Sequence, residues 1–387
     1  MISQYLELPD FAFISEERKF KSYELGFSIQ FYEEDLYDFA GIQTVLLGVK
    51  ESRAAAMKNL GCDLTPDEVR KHLFRLHSGE KFPKILDLGN IIDCETVSET
   101  YEALEKVLSY IYEQGVTVLI IGGSQDLTYS QYIAFENIKP KLNVAVVDER
   151  IDLVINQETL TSDGYLQHLM TCQNPQLYHL SLFGYQTFFV HPSILNHINS
   201  MSYDSFKLGD LRYDVIHYNH VFRMADMISM DISVVKQSDA PGRSMQSPNG
   251  FLADEFCLIS RLAGMSDRVQ SIGFYEVNPQ MDIRHQTAQL TAQAMWYFLD
   301  GFGYRTAEHP SLEDEQDNYL IFLVDLPEFE SKPFQFWQSK ETGNWWVEIP
   351  DPKSDPGSFF PCSRSDYEAC AKGEMSSWVF NLIAKVI

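Results

Sequence analysis

Six short apolar runs, each closing on or beside a glycine or an acid, constrain this chain more than any other feature. They are Thr44–Val49, Ile85–Gly89, Val116–Gly123, Leu142–Asp148, Asp226–Asp231 and Val269–Glu276. Continuous apolar runs of this length read as strands buried on both faces. Helical patterns lie between them, over Thr65–Leu76, Val97–Glu113, Glu255–Ala263 and Gln286–Phe302. Thr65 is the expected N-cap of the first, with Pro66 at the first helical position and Glu68 three residues on. Strands alternating with helices predict an α/β fold with a mainly parallel sheet covered on both faces. Open sheets of this kind bind ligands at the carboxyl ends of their strands. Acids recur there, at Asp148, Asp231 and Glu276.

Composition narrows the function. The chain has 387 residues and a formal net charge of −25. Such a charge repels nucleic acid and anionic membrane, so neither is an expected partner. No apolar run approaches the roughly 20 residues of a membrane span. The N-terminus lacks the basic and apolar regions of a signal peptide, and a cytoplasmic protein is expected. Six cysteines without a CxxC read as thiols of a reducing compartment, although Cys362 and Cys370 are close enough in sequence to pair. Gly122-Gly123 lacks the Lys-Ser/Thr of a phosphate loop, and neither a GxGxxG nor a Gly-x-Ser-x-Gly elbow is present.

The texture divides the chain into an N-terminal segment (1–40), an α/β domain (41–303) and a C-terminal extension (304–387). Within the extension, Ser311–Tyr319 reads as a linker and Lys332–Ile349 as a β-hairpin around Glu341–Asn344. Asp351–Ser363 is rich in Pro, Gly and Ser, and Glu374–Ile387 suggests a closing helix. The Trp/Phe cluster at 334–346 reads either as a protein-partner patch or as the packed face of a small sheet.

Four segments, in order, resemble the ureohydrolase family of arginase, agmatinase and formimidoylglutamase. Gly122-Gly123-Ser124-Gln125 stands where that family has Gly-Gly-Asp-His. Asp148-Glu149-Arg150-Ile151-Asp152 replaces Asp-Ala-His-x-Asp, and Ser229-Met230-Asp231-Ile232-Ser233 replaces Ser-x-Asp-x-Asp. Glu276-Val277-Asn278-Pro279 matches intact. Ala240-Pro241-Gly242 keeps the family spacing, and Ser162-Asp163-Gly164 resembles the substrate loop of the formimidoylglutamase branch. The resemblance implies a three-layer αβα sandwich and a closed homo-oligomer. It also implies a pair of manganese ions held by four Asp and two His, which activate a hydroxide for attack on a guanidinium or formimino carbon.

Carried over position by position, Asp148, Asp152 and Asp231 retain ligand positions, whereas Gln125, Arg150 and Ser233 replace two His and one Asp. Glu276 stands where the family binds the cationic end of the substrate. Arginine cannot ligate a metal. Arg150 is therefore expected to point among the three Asp as an internal counter-charge, in a protein without a bound cofactor that serves as a binding or scaffold protein. The alternative is an active C–N hydrolase with one residual metal, manganese if any, aided by Asp126, Glu149 or Ser124. His168, near the substrate loop, is a weak catalytic candidate.

Overall fold

The computed structural model describes residues 2–9, 20–32, 39–56, 59–212, 214–245, 247–310, 316–326, 333–351 and 354–386. Its main sheet contains β1 (Leu6–Glu7), β2 (Gln30–Phe31), β3 (Thr44–Gly48), β4 (Ile85–Ile91) and β5 (Thr117–Ile121). It continues with β6 (Lys141–Val147), β7 (Gln176–Tyr185), β8 (Asp204–Lys207), β9 (Met227–Asp231) and β10 (Ser271–Tyr275). The order is β1-β4-β3-β5-β10-β9-β6-β7-β8, with β2 also on β4. The pairings are parallel except for β1 on β4.

Strand alternation builds the two cores. In β5, Val118 and Ile120 face one helical layer while Leu119 and Ile121 face the other; in β6, Val144 and Val146 oppose Ala145 and Val147. The first layer is the helix Val97–Glu113, through Leu104, Val107, Leu108 and Ile111. A Thr96–Glu99 capping box starts it. The opposite layer packs Val69 and Leu73 of helix Thr65–Leu73, Phe256 and Ile259 of Ala253–Met265, and Met295 and Phe298 of Gln286–Phe302. This is the expected αβα sandwich.

Several expectations need correction. Thr65 is not an N-cap. Its helix starts at Thr65 itself, after a 3-10 turn, and its hydroxyl donates to the Val277 carbonyl. The N-terminal segment is not separate, because β1 and β2 extend the main sheet and Leu25 and Tyr32 are buried. The predicted hairpin is correct but incomplete. β12 (Phe334–Ser339) and β13 (Trp345–Asp351) pair antiparallel, flanked by β11 (Tyr319–Val324) and β14 (Ser354–Cys362). β14 thus occupies the stretch read as a Pro/Gly/Ser-rich connection. It is the last strand in its sheet's order, and an edge tolerates such residues. The linker reading falls partly on 311–315, outside the described residues, and Tyr319 already begins β11. The closing helix is Ser377–Val386.

Phe334, Phe336, Trp337, Trp345 and Trp346 are buried, so these rings form the packed face of the small sheet. Phe336 and Val347 share a cluster with Trp378 and with Phe256 of the main domain. All six cysteines are unpaired thiols. Among the described residues no helix is long and apolar enough to cross a membrane.

Candidate functional site

The four central strands β5, β10, β9 and β6 are neighbours, so the residues at their carboxyl ends converge. β5 runs into Gly122–Gln125, β6 into Asp148–Asp152, β9 ends on Asp231 and β10 leads to Glu276. Oxygen atoms from Asp148, Asp152 and Asp231 lie within 4.8 Å of one another. Glu276 takes φ 66°, a left-handed conformation that a non-glycine residue adopts only where its surroundings fix it. Its carboxylate accepts from the Gln125 backbone N–H (2.9 Å) and from Asn59 Nδ2 (2.7 Å).

Gln125 occupies the middle of the cluster. With its amide oriented to satisfy both ends, Nε2 donates to Asp148 (3.0 Å), Asp152 (3.3 Å) and Asp231 (3.3 Å). Oε1 accepts from Ser229 Oγ and Tyr165 OH, both at 3.2 Å. Ser233 Oγ donates to Asp148 Oδ1 (3.0 Å), and the Ser233 backbone N–H donates to Asp231 (2.5 Å). The Arg150 backbone N–H also donates to Asp148 (2.9 Å).

The Arg150 side chain does not enter the cluster, which overturns its expected role as internal counter-charge. The guanidinium lies over the Phe189 ring at 4.0 Å, and its Nε is 3.6 Å from Glu149. Stacked there, a quarter exposed, it keeps some contact with water, which insertion among the buried acids would remove. The cation beside the acids is Arg243, which the sequence reading missed. Its Nη2 pairs with Glu149 at 2.7 Å, and its charge pulls Asp231 down. Arg243 follows Ala240-Pro241-Gly242 directly, and that adjacency was the available signal. Asn59 had none, being remote in sequence.

Burial raises all four carboxyl groups, and their mutual repulsion raises Asp148, Asp152 and Glu276 further. Asp148 rises well above its usual range, Asp152 and Glu276 to about 8, and Asp231 to about 6. Acids so placed hold protons among themselves or take a cation.

Of the proposed helper ligands, Asp126 and Ser124 are not among the residues that line the cleft, and Glu149 lines it but is already paired. Asp126 accepts from Tyr101 OH (2.6 Å), Ser124 Oγ donates to the Glu51 carbonyl (3.4 Å), and Glu149 is engaged by Arg243 and Gln186. Ser162 lines the cleft and accepts from the Ala56 N–H (2.8 Å). Gly164 caps helix Tyr165–Thr171, and His168 on that helix sits edge-on to Tyr129 rather than among the cleft residues. The space above the acids is about 50 Å³, enough for an ion with a water.

Three carboxylates without an imidazole suit one hard, oxygen-preferring divalent cation. At the other three positions the chain offers an amide, a guanidinium and a hydroxyl. The guanidinium has no lone pair to give and is directed elsewhere.

Comparison with known proteins agrees with this architecture. The arginase family's sequence model matches residues 42–300. A formimidoylglutamase of Staphylococcus aureus (strain MSSA476) is 23% identical over 273 residues, covering 66% of this chain and 85% of the relative. The crystal structure of Trypanosoma cruzi formiminoglutamase with Mn2+2 superposes with a TM-score of 0.65 at 19% identity, covering 70% of this chain and 97% of that one. Formimidoylglutamase from Bacillus subtilis subsp. subtilis str. 168 gives 0.65 at 18% identity, covering 76% and 99%. With the strand order, the acids at the strand ends and the matched span in agreement, the chain belongs to the arginase family.

Proposed function

We propose that this arginase-family protein has exchanged the two-metal hydrolytic centre for a hydrogen-bonded acid cluster that takes one divalent cation. It then acts as a binding protein rather than an amidine hydrolase. The observation that carries this reading is the Gln125 amide, whose Nε2, in the orientation that satisfies both ends, lies 3.0–3.3 Å from all three acids, at a position where the resemblance implies a metal-ligating imidazole. Asp148, Asp152 and Asp231 would hold the cation, which when bound would supply Lewis acidity in the cleft. Manganese is the candidate the family suggests.

The chain's own residues do the rest. Gln125 and Ser233 fix the carboxylates by donating to them. Glu276, held by Asn59 and the Gln125 backbone, offers an acceptor to a cationic group entering the cleft. Arg243 limits the negative field on the Asp231 side.

A panel of guanidino and formimino compounds, assayed with and without Mn²⁺ for urea, ammonia or formamide, tests the reading. No release above the blank is expected from folded protein, and turnover would overturn it. The intact Glu276-Val277-Asn278-Pro279 segment favours the second reading, a hydrolase working with a single metal, which the same panel detects.

A further inference from the structure

We propose a second cation site, independent of the acid cluster and of the functional reading above, in which Glu68, His72 and His285 bind zinc. Glu68 and His72 stand four residues apart on helix Thr65–Leu73 and so share one face. His285 precedes helix Gln286–Phe302, where two consecutive residues, Arg284 and His285, take φ 56° and 57°. That turn delivers the third imidazole or carboxylate donor to the other two. His285 Nδ1 lies 2.9 Å from Glu68 Oε1, and His72 Nε2 lies 3.5 Å from the same oxygen. All three donor atoms fall within 4.8 Å of one another.

The distances match the chemistry. Zinc bonds of about 2.0–2.1 Å in a tetrahedron put ligand atoms about 3.3 Å apart. The two edges to Glu68, 2.9 and 3.5 Å, bracket that value, and the edge between the two imidazoles is within 4.8 Å, so side-chain rotations suffice to close the site. Two imidazoles and one carboxylate, with the fourth position open, are a zinc set. Nitrogen donors also separate this site from the all-oxygen cluster of Asp148, Asp152 and Asp231, which suits harder ions.

His72 Nε2 supplies an independent observation, because it is buried and accepts no hydrogen bond among the described residues. The second Glu68 oxygen, Oε2, already accepts from Lys71 Nζ at 2.8 Å, which leaves Oε1 directed at the two rings. Asp282 fixes the approach of His285 by accepting from the backbone N–H groups of Thr287 (3.0 Å) and Ala288 (3.0 Å). Zinc would therefore tie helix Thr65–Leu73 to the turn that follows the Glu276 segment. The helix already meets the Glu276 segment itself where Thr65 Oγ1 donates to Val277 O.

The test uses full-length protein stripped with a chelator. Zinc is titrated in competition with a chromogenic chelator, and Co²⁺ absorption reports coordination. Wild type is expected to bind one zinc tightly, with a tetrahedral Co²⁺ spectrum. His285→Ala, at a half-exposed position that should not disturb folding, should weaken binding by about tenfold or more. Glu68→Gln should weaken it too, whereas Asp148→Asn should leave it unchanged. The proposal is overturned if folded wild type binds no zinc, if His285→Ala binds as wild type does, or if Asp148→Asn removes the binding.

Discussion

At the residue scale the site is a contest between charge and desolvation. A guanidinium among Asp148, Asp152 and Asp231 looks favourable from the sequence, because opposite charges attract. In the structure a neutral amide does the work. Gln125 supplies donors to the three acids without the cost of burying a cation, and Arg150 rests on Phe189 instead. Which residues occupy the ligand positions was legible; where a long, flexible Arg side chain points was not. The cluster pushes Asp152 from 3.8 to about 8 and Asp231 to about 6. The unfolded chain ionises these groups first. Their contribution therefore falls as pH rises from about 4 through about 8. Asp152→Asn should raise the melting temperature at pH 8 by about 2 °C or more and flatten that slope, as thermal scans from pH 5 to 8 would show. Added Mn²⁺ should stabilise wild type more at pH 8 than at pH 5. A second residue-scale prediction concerns the ligand positions. The triple variant Gln125→His, Arg150→His, Ser233→Asp should gain a second Mn²⁺ by mass spectrometry.

At the element scale, the central strands of the main sheet were legible because burial on both faces leaves continuous apolar runs, and Val97–Glu113 was legible because Leu104, Val107, Leu108 and Ile111 recur at helical spacing. β14 was not, since its partner β13 and not its own composition makes it a strand. Helix Thr65–Leu73 is pinned to β4 by a buried ion pair that no short motif announces. Arg70 Nε and Nη2 donate to Asp87 at 2.8 and 2.9 Å, and Nη1 and Nη2 reach Asn90 and the Gly89 carbonyl. Arg70→Met leaves Asp87 buried without its partner. A loss of about 3–5 kcal/mol is expected in denaturant titration. His220 sets an opposite pH trend to the acid cluster. Burial against Trp378, ring centroids 4.6 Å apart, pushes it down to about 4. The unfolded chain takes up its proton first, so this contribution is complete above about 6.5 and is lost as pH falls toward 4. His220→Phe should make the protein less sensitive to acid in that window, measured by unfolding at pH 4.5 and 7.

For the whole molecule, the C-terminal extension is part of the core and not an appendage. Phe334, Phe336, Val347, Ile349 and Trp378 pack in one cluster with Phe256, Met295 and Phe298. The sequence suggested a boundary near 303 because the texture changes there, but a change of texture does not report which surfaces meet. Truncation after Gly303 would expose that cluster and should yield aggregated or non-cooperative protein. Phe336→Ala should cost about 3–5 kcal/mol within a single unfolding transition. A protein partner on the extension remains our proposal for how the binding role is exercised. The exposed Leu320 and Leu323 on β11 are its most direct support, since the aromatic rings face inward.

The central claim is that the carboxyl edge of the sheet holds one cation at most. Mn²⁺ per chain, measured by mass spectrometry after equilibration with excess Mn²⁺, tests it most directly; using His285→Ala removes any contribution from the histidine site. The account predicts a stoichiometry that saturates at one and falls to zero in Asp148→Asn. Two Mn²⁺ per chain lost together in Asp148→Asn would contradict it and restore the two-metal hydrolase.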